Sequence, residues 1–434
     1  MITRLRIDNF KSLKGLDVTL GSMNFIVGPN ASGKSNFAEA LDFLAHAITE
    51  DLTYAVAEKG GFYNICYRKQ RRARGAIAFT VDGTIKRARD TYEFTFDFQF
   101  RTRSEEIRAD FYVASEELTI KLIANETRLL APLTLRILRD GDKYVVAFPD
   151  NRDHGISLTK TEDTFARRVK SLQEIFADAD EASSQHLLFF GYLGEYFPIS
   201  IVARELQGLR VFQFNPRLAR QPAAPSVHGE LGRRGENLAA AIDRMRLEDQ
   251  GRFRKLGSWL RDVVPTIGGL FANYTETRQF GLFFEEEGFA ARWFAEDVSD
   301  GTIMSVALFL ALLDKRHRII VVEEPETSLH PWILRKFLDR CREQSSKSQI
   351  LITTHSPLAV AQSNPGELFL MERREGITTM RRALEVEAAL PQIVRKDLID
   401  LGEYWLSGGL GAIPSLPEER SVDLFGESDQ EQTS

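Results

Sequence analysis

The sequence predicts an α/β fold with a mixed β-sheet, an antiparallel β subdomain and a helical insertion. Three observations lead to this prediction. An apolar strand at residues 23–27 enters a glycine-rich loop and a helix, and an apolar strand at residues 319–322 ends in two carboxylates. Between them, residues 75–150 contain short runs of alternating apolar and polar residues, separated by Asp-Gly and charged turns. Buried parallel strands are apolar throughout, whereas alternation is typical of antiparallel strands with one solvated face.

Length and composition limit the possible classes. The 434 residues are 43% hydrophobic and can bury one large core or two ordinary ones. A net charge of −6 argues against a protein that coats nucleic acid over its whole surface, although a local basic patch survives such averaging. The two cysteines, Cys66 and Cys341, lie far apart in the sequence. They fit a reducing compartment and provide no disulfide framework or zinc site.

No segment of the sequence predicts a membrane span. Residues 1–10 alternate apolar and polar side chains like an edge strand and lack the apolar core of a signal peptide. The longest apolar run, Val306 to Leu313, is too short to cross a bilayer. We therefore expect a cytoplasmic protein with no membrane partner.

Residues 28–35 read Gly-Pro-Asn-Ala-Ser-Gly-Lys-Ser and fit the pattern G-x-x-x-x-G-K-[ST]. Its glycines let the backbone curl so that successive N–H groups point at one anion, and the pattern requires a strand before it and a helix after it. The helix N-terminus adds partial positive charge. We predict nucleotide binding, with Lys34 on the β- and γ-phosphates and Ser35 on Mg²⁺. The other predicted contacts are Asn30, Ala31, Ser32, Gly33 and Asn36.

The middle of the chain predicts further elements. Residues 160–208 show apolar residues at helical spacing, and a strand that follows them stops at Pro216. A loop at 221–226 suggests a domain boundary near 216–230, before a helical stretch at 237–264 and a hairpin at 280–294 with Glu285 to Gly288 in its loop. The predicted parts are residues 1–65 with the phosphate loop, 66–215 as meander and helical insertion, 216–412 with the remaining motifs, and 413–434 as an acidic disordered tail.

The strand Ile319–Val322 is followed by Glu323 and Glu324. Adjacent residues of a strand point to opposite faces, so one carboxylate can face a metal while the other faces an attacking water. We assign Glu323 to Mg²⁺ and Glu324 to the water as general base, a role that contributes ~10²–10⁴-fold to rates. An acidic surface turn after a core strand is the alternative.

His355 follows the apolar strand at residues 350–353. If this strand neighbours the carboxylate strand, the imidazole can reach a γ-phosphate, which makes His355 a candidate catalytic residue. A purely structural histidine is the alternative, and the sequence leaves it open.

Four motifs in this order together resemble the ABC-type ATPase head of the SMC/RecF/OLD-like class. They are the phosphate loop, Val298–Thr302, Glu323–Pro331 and Thr354–Ser356. The opening Asp8–Leu13 resembles the N-terminal strand and turn of that class. The resemblance implies a P-loop NTPase fold that binds and hydrolyses ATP with Mg²⁺. Shorter similarities to stand-alone bacterial ATPases lie at residues 235–239 and 401–405, and the resemblance covers residues 1–50 and 210–412.

The resemblance also implies a head-to-tail homodimer around ATP. Each ATP would lie between the phosphate loop of one chain and the signature Ser299, Asp300 and Gly301 of the other. The signature precedes an apolar helix, whose N-terminal N–H groups can face a partner's γ-phosphate. A plain helix cap is the alternative. By the same resemblance, Lys11 and Ser12 lie near the ribose and adenine.

Two features depart from the pattern of the class. Glu323 stands where many relatives carry aspartate, which lengthens the metal-side arm by one methylene. The glutamine that senses the γ-phosphate and reaches the metal is ambiguous: we choose Gln213, at the end of a predicted strand, and Gln70 is the rival.

Stand-alone heads of this class are typical of bacterial antiphage modules. We therefore expect an ATPase that regulates a partner effector, a nuclease or a toxin. About 80 residues follow His355, so we expect no nuclease domain of the OLD type. A RecF-like ATPase that binds DNA ends is the alternative. The basic stretch Arg68–Arg74 is a candidate DNA contact, and the alternative is a solvated surface loop with no DNA role.

Overall fold

Three β-sheets and the helices packed on them make up the part of the fold that the structure describes. The computed structural model describes residues 1–68, 75–87, 90–102, 111–125, 134–140, 143–147, 187, 199–224, 229–391 and 400–411. Predictions that lie outside these residues are Gln70, most of the basic stretch, nearly all of the helical segment before residue 199, and the tail. Within the described residues, no helix combines the length and apolar character that a membrane span needs.

The described residues form the following strands and α-helices. The strands are β1 (Ile2–Asp8), β2 (Leu16–Thr19), β3 (Met23–Val27), β4 (Ile77–Arg87), β5 (Asp90–Thr102), β6 (Phe111–Asn125), β7 (Thr134–Asp140), β8 (Lys143–Ala147), β9 (Leu209–Phe212), β10 (Ile267–Tyr274), β11 (Phe280–Glu286), β12 (Trp293–Phe294), β13 (Ile319–Glu323), β14 (Gln349–Thr354), β15 (Leu368–Arg374) and β16 (Ile377–Arg382). The α-helices are α1 (Lys34–Thr49), α2 (Leu52–Glu58), α3 (Phe62–Ile65), α4 (Ile199–Leu206), α5 (Pro216–Ala219), α6 (Leu238–Glu248), α7 (Gln250–Val263), α8 (Asp300–Leu313), α9 (Pro331–Gln344), α10 (Pro357–Ala361), α11 (Ala383–Val386) and α12 (Leu401–Leu406).

The central sheet has six strands in the order β16-β15-β3-β14-β13-β9. Neighbouring strands are parallel from β15 to β9, and β16 is antiparallel to β15. Every residue of β3, β13 and β14 is buried. Strands that are covered on both faces are rich in apolar residues, as these three are, and this confirms the mixed sheet predicted from the apolar runs.

The second sheet is antiparallel, with seven strands in the order β2-β1-β4-β5-β6-β7-β8, and it confirms the meander predicted over residues 75–150. The prediction that residues 1–10 form an edge strand is wrong. β1 lies inside this sheet, where Leu5 is opposite Val18 of β2 and Val81 of β4. Alternation shows that a strand has one buried and one more exposed face, but it contains no information on which neighbours complete the sheet.

The third sheet, β10-β11-β12, precedes α8 in the chain. Its second and third strands confirm the predicted hairpin at residues 280–294. The predicted loop begins too early, because Glu285 and Glu286 pair with β10 as the last residues of β11. Helices α6 and α7 confirm the helical pattern predicted over residues 237–264.

Helix α1 lies between the central sheet and the antiparallel sheet. Its apolar residues share one core with Ile26 of β3, whereas Phe25 of the same strand belongs to the core on the other face, with α8. Phe43 of α1 stacks on Phe79 and Phe100 of the antiparallel sheet, each at 5.7 Å between ring centroids. This packing fixes the helix whose N-terminus follows the glycine-rich loop.

Candidate functional site

The glycine-rich loop connects β3 to α1 and leaves no room for side chains at two of its glycines. A Cβ on Gly28 would lie 2.2 Å from the backbone oxygen of Met371. Gly33 has a φ of 108°, and a Cβ there would lie 2.2 Å from Oγ1 of Thr378. Strands β15 and β16 therefore press on the loop, and only glycine fits at these positions.

Lys34 is buried inside the loop. Its Nζ donates to the backbone oxygens of Gly28 at 2.8 Å and Pro29 at 3.2 Å. Burial lowers the pKa of Lys34, and the nearby carboxylates of Glu324 and Glu326 act in the opposite direction. The loop thus curls around a cation, as a cradle for phosphate requires.

Polar contacts link the N-terminal turn to the start of α1. Asn36 Nδ2 donates to Ser12 Oγ at 2.7 Å, and the same hydroxyl lies 2.7 Å from Thr378 Oγ1. Thr378 Oγ1 also donates to the backbone oxygen of Ser32 at 3.1 Å. Lys11 has a positive φ of 47° and forms an ion pair with Glu39 of α1.

A polar cleft of about 580 Å³ opens beside these contacts. Its lining includes Lys11, Ser12, Asn36, Tyr67 and Arg373. The hydroxyl of Tyr67 is buried and has no hydrogen-bond partner among the described residues. The cleft thus contains Lys11 and Ser12, the residues predicted to lie near ribose and base, together with Asn36 of the first turn of α1.

The carboxyl ends of four adjacent parallel strands meet at one edge of the central sheet. From β3, β14, β13 and β9 the chain continues into the phosphate loop, His355, Glu324 and Gln213 respectively. Such an edge is where open α/β sheets bind ligands. The structure thus brings together the residues that the sequence predicts for phosphate binding, metal binding and catalysis.

Glu323 ends β13 and is 6% exposed. Its Oε1 accepts a hydrogen bond from Arg233 Nη2 at 2.7 Å. Burial raises the pKa of Glu323, and the Arg233 guanidinium opposes this effect. Arg233 therefore stabilises the anionic form that a metal ligand needs.

Glu324 lies outside the strand. Its φ is 44°, in the left-handed region, and its N–H donates to the backbone oxygen of Thr353 at 2.9 Å. The turn, and not the alternation of a strand, separates the two carboxylates. Glu323 faces Arg233, whereas Oε1 of Glu324 lies 3.5 Å from Nδ1 of His355.

Glu326 fixes the position of the turn after β14, where Thr354 is followed by His355. Its Oε1 accepts hydrogen bonds from Thr354 Oγ1 at 2.8 Å and from the N–H of His355 at 2.9 Å. The same oxygen lies 3.5 Å from Nδ1 of His355, whose side chain is half exposed. The imidazole is thus placed beside Glu324 and remains open to a ligand.

Gln213 is exposed and directly follows β9. Its N–H donates to the backbone oxygen of Arg233 at 2.9 Å. Because Phe212 is paired with Val322, Gln213 lies at the same level of the sheet as Glu323. This position fits the predicted choice of Gln213, and Gln70 lies outside the described residues.

The signature residues lie at the N-terminus of α8. Ser299 caps the helix: its Oγ accepts from the N–H of Thr302 at 3.2 Å. Asp300 forms an ion pair with Arg220, which also donates to the backbone oxygen of Val298 at 2.7 Å. Within the described part of the chain, no hydrogen bond or ion pair joins Ser299 or Asp300 to the phosphate loop.

Two residues of the site belong to no sequence motif and were not predicted. Arg233 binds Glu323, and Thr378 supports the phosphate loop. Arg233 stands next to the stretch 235–239, which resembles the class only weakly, and this was the one available signal for it. Thr378 is 346 residues from Ser32, and no local pattern indicates such a contact.

The residues of this edge fit a nucleotide with a divalent cation. The buried ammonium of Lys34 is coordinated by carbonyl oxygens of its own loop, and the buried Oγ of Ser32 has no partner among the described residues. Both groups are positioned to bind phosphate oxygens. The hydroxyl of Ser35 and the carboxylate of Glu323 are the hard oxygen ligands that Mg²⁺ prefers.

The fold and the site together define an ABC-type ATPase head of the SMC/RecF/OLD-like class, a P-loop NTPase fold. ATPases of this kind use ATP, typically with Mg²⁺. The chain belongs to the family described as "AAA domain, putative AbiEii toxin, Type IV TA system", whose profile matches residues 23–361.

Individual relatives agree with this class. The chain is 24% identical over 385 residues to the OLD nuclease of Thermus scotoductus, covering 86% of the chain and 62% of that protein. It is 48% identical over 46 residues to the DNA replication and repair protein RecF of Actinobacillus pleuropneumoniae, covering 10% of the chain and 13% of RecF. The chain thus spans less than two thirds of the length of either relative.

Among solved structures, the fold is similar to an SMC head bound to the C-winged helix domain of ScpA. The TM-score is 0.51 at 12% identity, and the match covers 90% of this chain and 99% of that one. The likeness confirms the predicted fold.

Proposed function

We propose that the protein binds Mg-ATP at this sheet edge and hydrolyses it to ADP and phosphate. The observation that carries the proposal is the convergence of Lys34, Glu323, Glu324 and His355 at the ends of three adjacent parallel strands. A buried cation in a glycine cradle binds phosphate, and a carboxylate beside an imidazole serves a reacting water.

Different residues of the chain bind the phosphates, accept the proton of the water and hold the metal. Lys34 and the N–H groups of residues 30–36 bind the β- and γ-phosphates, and Glu324 accepts the proton of the attacking water. His355 contacts the γ-phosphate and orients Glu324. Ser35, Glu323 and Gln213 would hold Mg²⁺, which would supply charge neutralisation on the phosphates.

The nucleoside occupies the polar cleft beside the loop. Lys11 and Ser12 contact the ribose and adenine there, because both line the cleft next to Asn36, two residues after Lys34. The hydroxyl of Ser12 is itself held by a hydrogen bond with the hydroxyl of Thr378 on β16. This support makes the cleft a preformed site, which lowers the cost of ordering on binding.

ATP joins two copies of the chain head to tail. The signature Ser299, Asp300 and Gly301 presents a helix N-terminus that is exposed or half-buried and has no hydrogen bond to its own phosphate loop among the described contacts. The N–H groups of such a terminus attract an anion, and here the anion is the γ-phosphate bound by the partner chain.

The ATP-dependent dimer regulates a partner effector, a nuclease or a toxin, in bacterial antiphage defence. The description of the family refers to a toxin and a toxin–antitoxin system, and one relative is named a nuclease. An effector bound to one nucleotide state of the dimer would be released or activated in the other, because a ligand shifts an equilibrium by its differential affinity for two states.

The experiment that tests the proposal is the mass of the Glu324→Gln protein in solution, measured by light scattering with and without saturating Mg-ATP. We expect a monomer without nucleotide and a dimer with it, because the variant retains ATP. Glu276→Gln is the matched control, since Glu276 is exposed on the β10–β11 turn. A variant that remains a monomer with Mg-ATP contradicts the proposal.

A RecF-like ATPase that binds DNA ends is the second candidate. The 46-residue match to RecF favours it. Arg68, the first residue of the basic stretch, lies over the ring of Tyr63 at 4.4 Å, and the stretch continues outside the described residues. Titration with DNA at two salt concentrations tests this candidate: binding that weakens steeply with salt supports it, and binding without a salt slope contradicts it.

A further inference from the structure

Arg233 connects three elements of the nucleotide site. Its Nη1 donates to Oδ2 of Asp42 on α1 at 2.7 Å, and its Nη2 donates to Oε1 of Glu323 at 2.7 Å. Its backbone oxygen accepts the N–H of Gln213 at 2.9 Å. One residue therefore joins the helix after the phosphate loop, the strand with the metal-side carboxylate and the glutamine that follows β9.

The two carboxylates depend on Arg233 to different degrees. Oδ2 of Asp42 has a second cation, Lys59 Nζ, at 2.6 Å. The Glu323 side chain is 4% exposed, and within the described residues Arg233 is its one ion-pair partner. Loss of Arg233 thus leaves Asp42 paired and leaves Glu323 as a buried carboxylate without a cation, which is costly.

We propose that Arg233 is a positioning residue that holds the Glu323 carboxylate in the orientation in which it binds a divalent cation. The inference rests on the proposed function, because it assigns Glu323 to the metal. Arg233 binds Oε1, and no described hydrogen bond is made to Oε2, which is the oxygen left for the cation. Hydrogen-bond partners of a ligating carboxylate fix its orientation and thereby raise metal affinity.

The geometry requires a guanidinium. Its planar fork places two N–H donors on two carboxylates at once, whereas an ammonium is a point charge on a flexible stem. Nε of Arg233 is buried and has no partner among the described residues, so the side chain is held mainly by Asp42 and Glu323. A lysine would keep the charge but could not bridge both carboxylates in the same way.

The test is a Mg²⁺ titration of the binding of a fluorescent, non-hydrolysable ATP analogue to the full chain. Loss of such a partner typically costs about 10- to 100-fold in metal affinity. We expect Arg233→Met to raise the Mg²⁺ concentration for half-maximal binding by about this factor, and to leave the affinity in EDTA unchanged. Arg233→Lys should shift the titration in the same direction.

Arg234→Met is the matched control. Arg234 is exposed, its side chain has no described ion pair, and its backbone oxygen accepts the N–H of Asn215 at 3.0 Å, much as that of Arg233 accepts Gln213. The control should titrate like the wild type. Thermal unfolding reports whether each variant folds, and Arg233→Lys, which keeps a cation between the buried carboxylates, serves if Arg233→Met unfolds.

A double variant shows whether Arg233 acts through Glu323. In the Glu323→Gln background, Arg233→Met should produce no further shift of the Mg²⁺ titration. The proposal is overturned if Arg233→Met titrates like the wild type, or if it weakens binding equally in EDTA, which would indicate direct contact with the nucleotide. A wild type that binds the analogue without any Mg²⁺ dependence would instead contradict the proposed function.

Discussion

At the phosphate-loop edge of the central sheet, functional side chains contact one another within one chain. The N-terminus of α8 has no described contact with them. At the sheet edge, the loop, the carboxylates and the histidine lie close together and are held by Thr378, Arg233 and Glu326. At α8, Ser299 caps its own helix through Thr302, and Asp300 pairs with Arg220, 80 residues away; neither has a described bond to the phosphate loop.

Their glycines show the same difference. A Cβ on Gly28 would collide with the backbone of β15 at 2.2 Å, whereas a Cβ on Gly301 would lie 3.4 Å from Ser328, an ordinary contact. The first glycine is required by the fold. The second is not, so the fold gives no reason for a glycine there, which agrees with a signature that serves a partner.

The largest expected effect concerns catalysis at the sheet edge. Glu324→Gln should lower the rate of hydrolysis by about 10²- to 10⁴-fold, because the water loses its base, and should leave ATP affinity nearly unchanged. Turnover assays and calorimetric ATP titrations measure the two quantities. Equal losses in both would show that Glu324 contributes to binding and not to the chemical step.

Lys34→Met should weaken ATP binding by about 10- to 100-fold, because a hydrogen bond to a charged group contributes about 1.5–3 kcal/mol. Calorimetric titration measures the loss. The matched control is Lys315→Met, since Lys315 is an exposed lysine away from the sheet edge. Similar ATP affinities for the two variants would show that Lys34 does not bind the phosphates.

Replacement by alanine should have different consequences at Gly28 and at Gly301. Gly28→Ala should lower the free energy of unfolding by about 1–3 kcal/mol, as forced overpacking does. Gly301→Ala should unfold like the wild type and yet lower ATPase turnover, because the added methyl group meets the partner and not its own chain. Chemical denaturation and turnover are measured on both proteins, and a strongly destabilised Gly301→Ala contradicts the distinction.

A smaller loss of stability than at Gly28 is expected at Ser299. Ser299→Ala should cost about 1 kcal/mol of stability, because the helix loses its N-cap. Ser299→Asp keeps a cap and should unfold like the wild type, but its carboxylate would repel the partner's γ-phosphate. Denaturation curves and ATP-dependent dimerisation separate the two roles of this residue.

The sequence predicts the phosphate loop, its strand and the carboxylate strand because each is a local pattern. The predicted strand at residues 23–27 has the bounds of β3, and the predicted Ile319–Val322 is one residue shorter than β13. In each of these motifs the functional residues are neighbours in the sequence, so a local pattern is enough to predict them. The roles assigned to these residues stay predictions until they are measured.

Contacts between distant parts of the chain could not be predicted in this way. Thr378 reaches the phosphate loop from β16, and Arg233 reaches Glu323 across 90 residues. Neither residue type is unusual in its local sequence. The same limit explains the error at the N-terminus, since the alternation of β1 predicts its faces but not the two strands that flank it.

The most direct test of the composite site mixes two impaired chains. Lys34→Met impairs the phosphate loop, and Ser299→Asp impairs the signature, so each protein alone should turn over far more slowly than the wild type. Random pairing makes about half of the dimers mixed, each with one intact site, and we expect about a quarter of the wild-type rate in an equimolar mixture. If the mixture remains as slow as the variants alone although both chains fold and the Ser299→Asp chain still binds ATP, the two chains do not share a site.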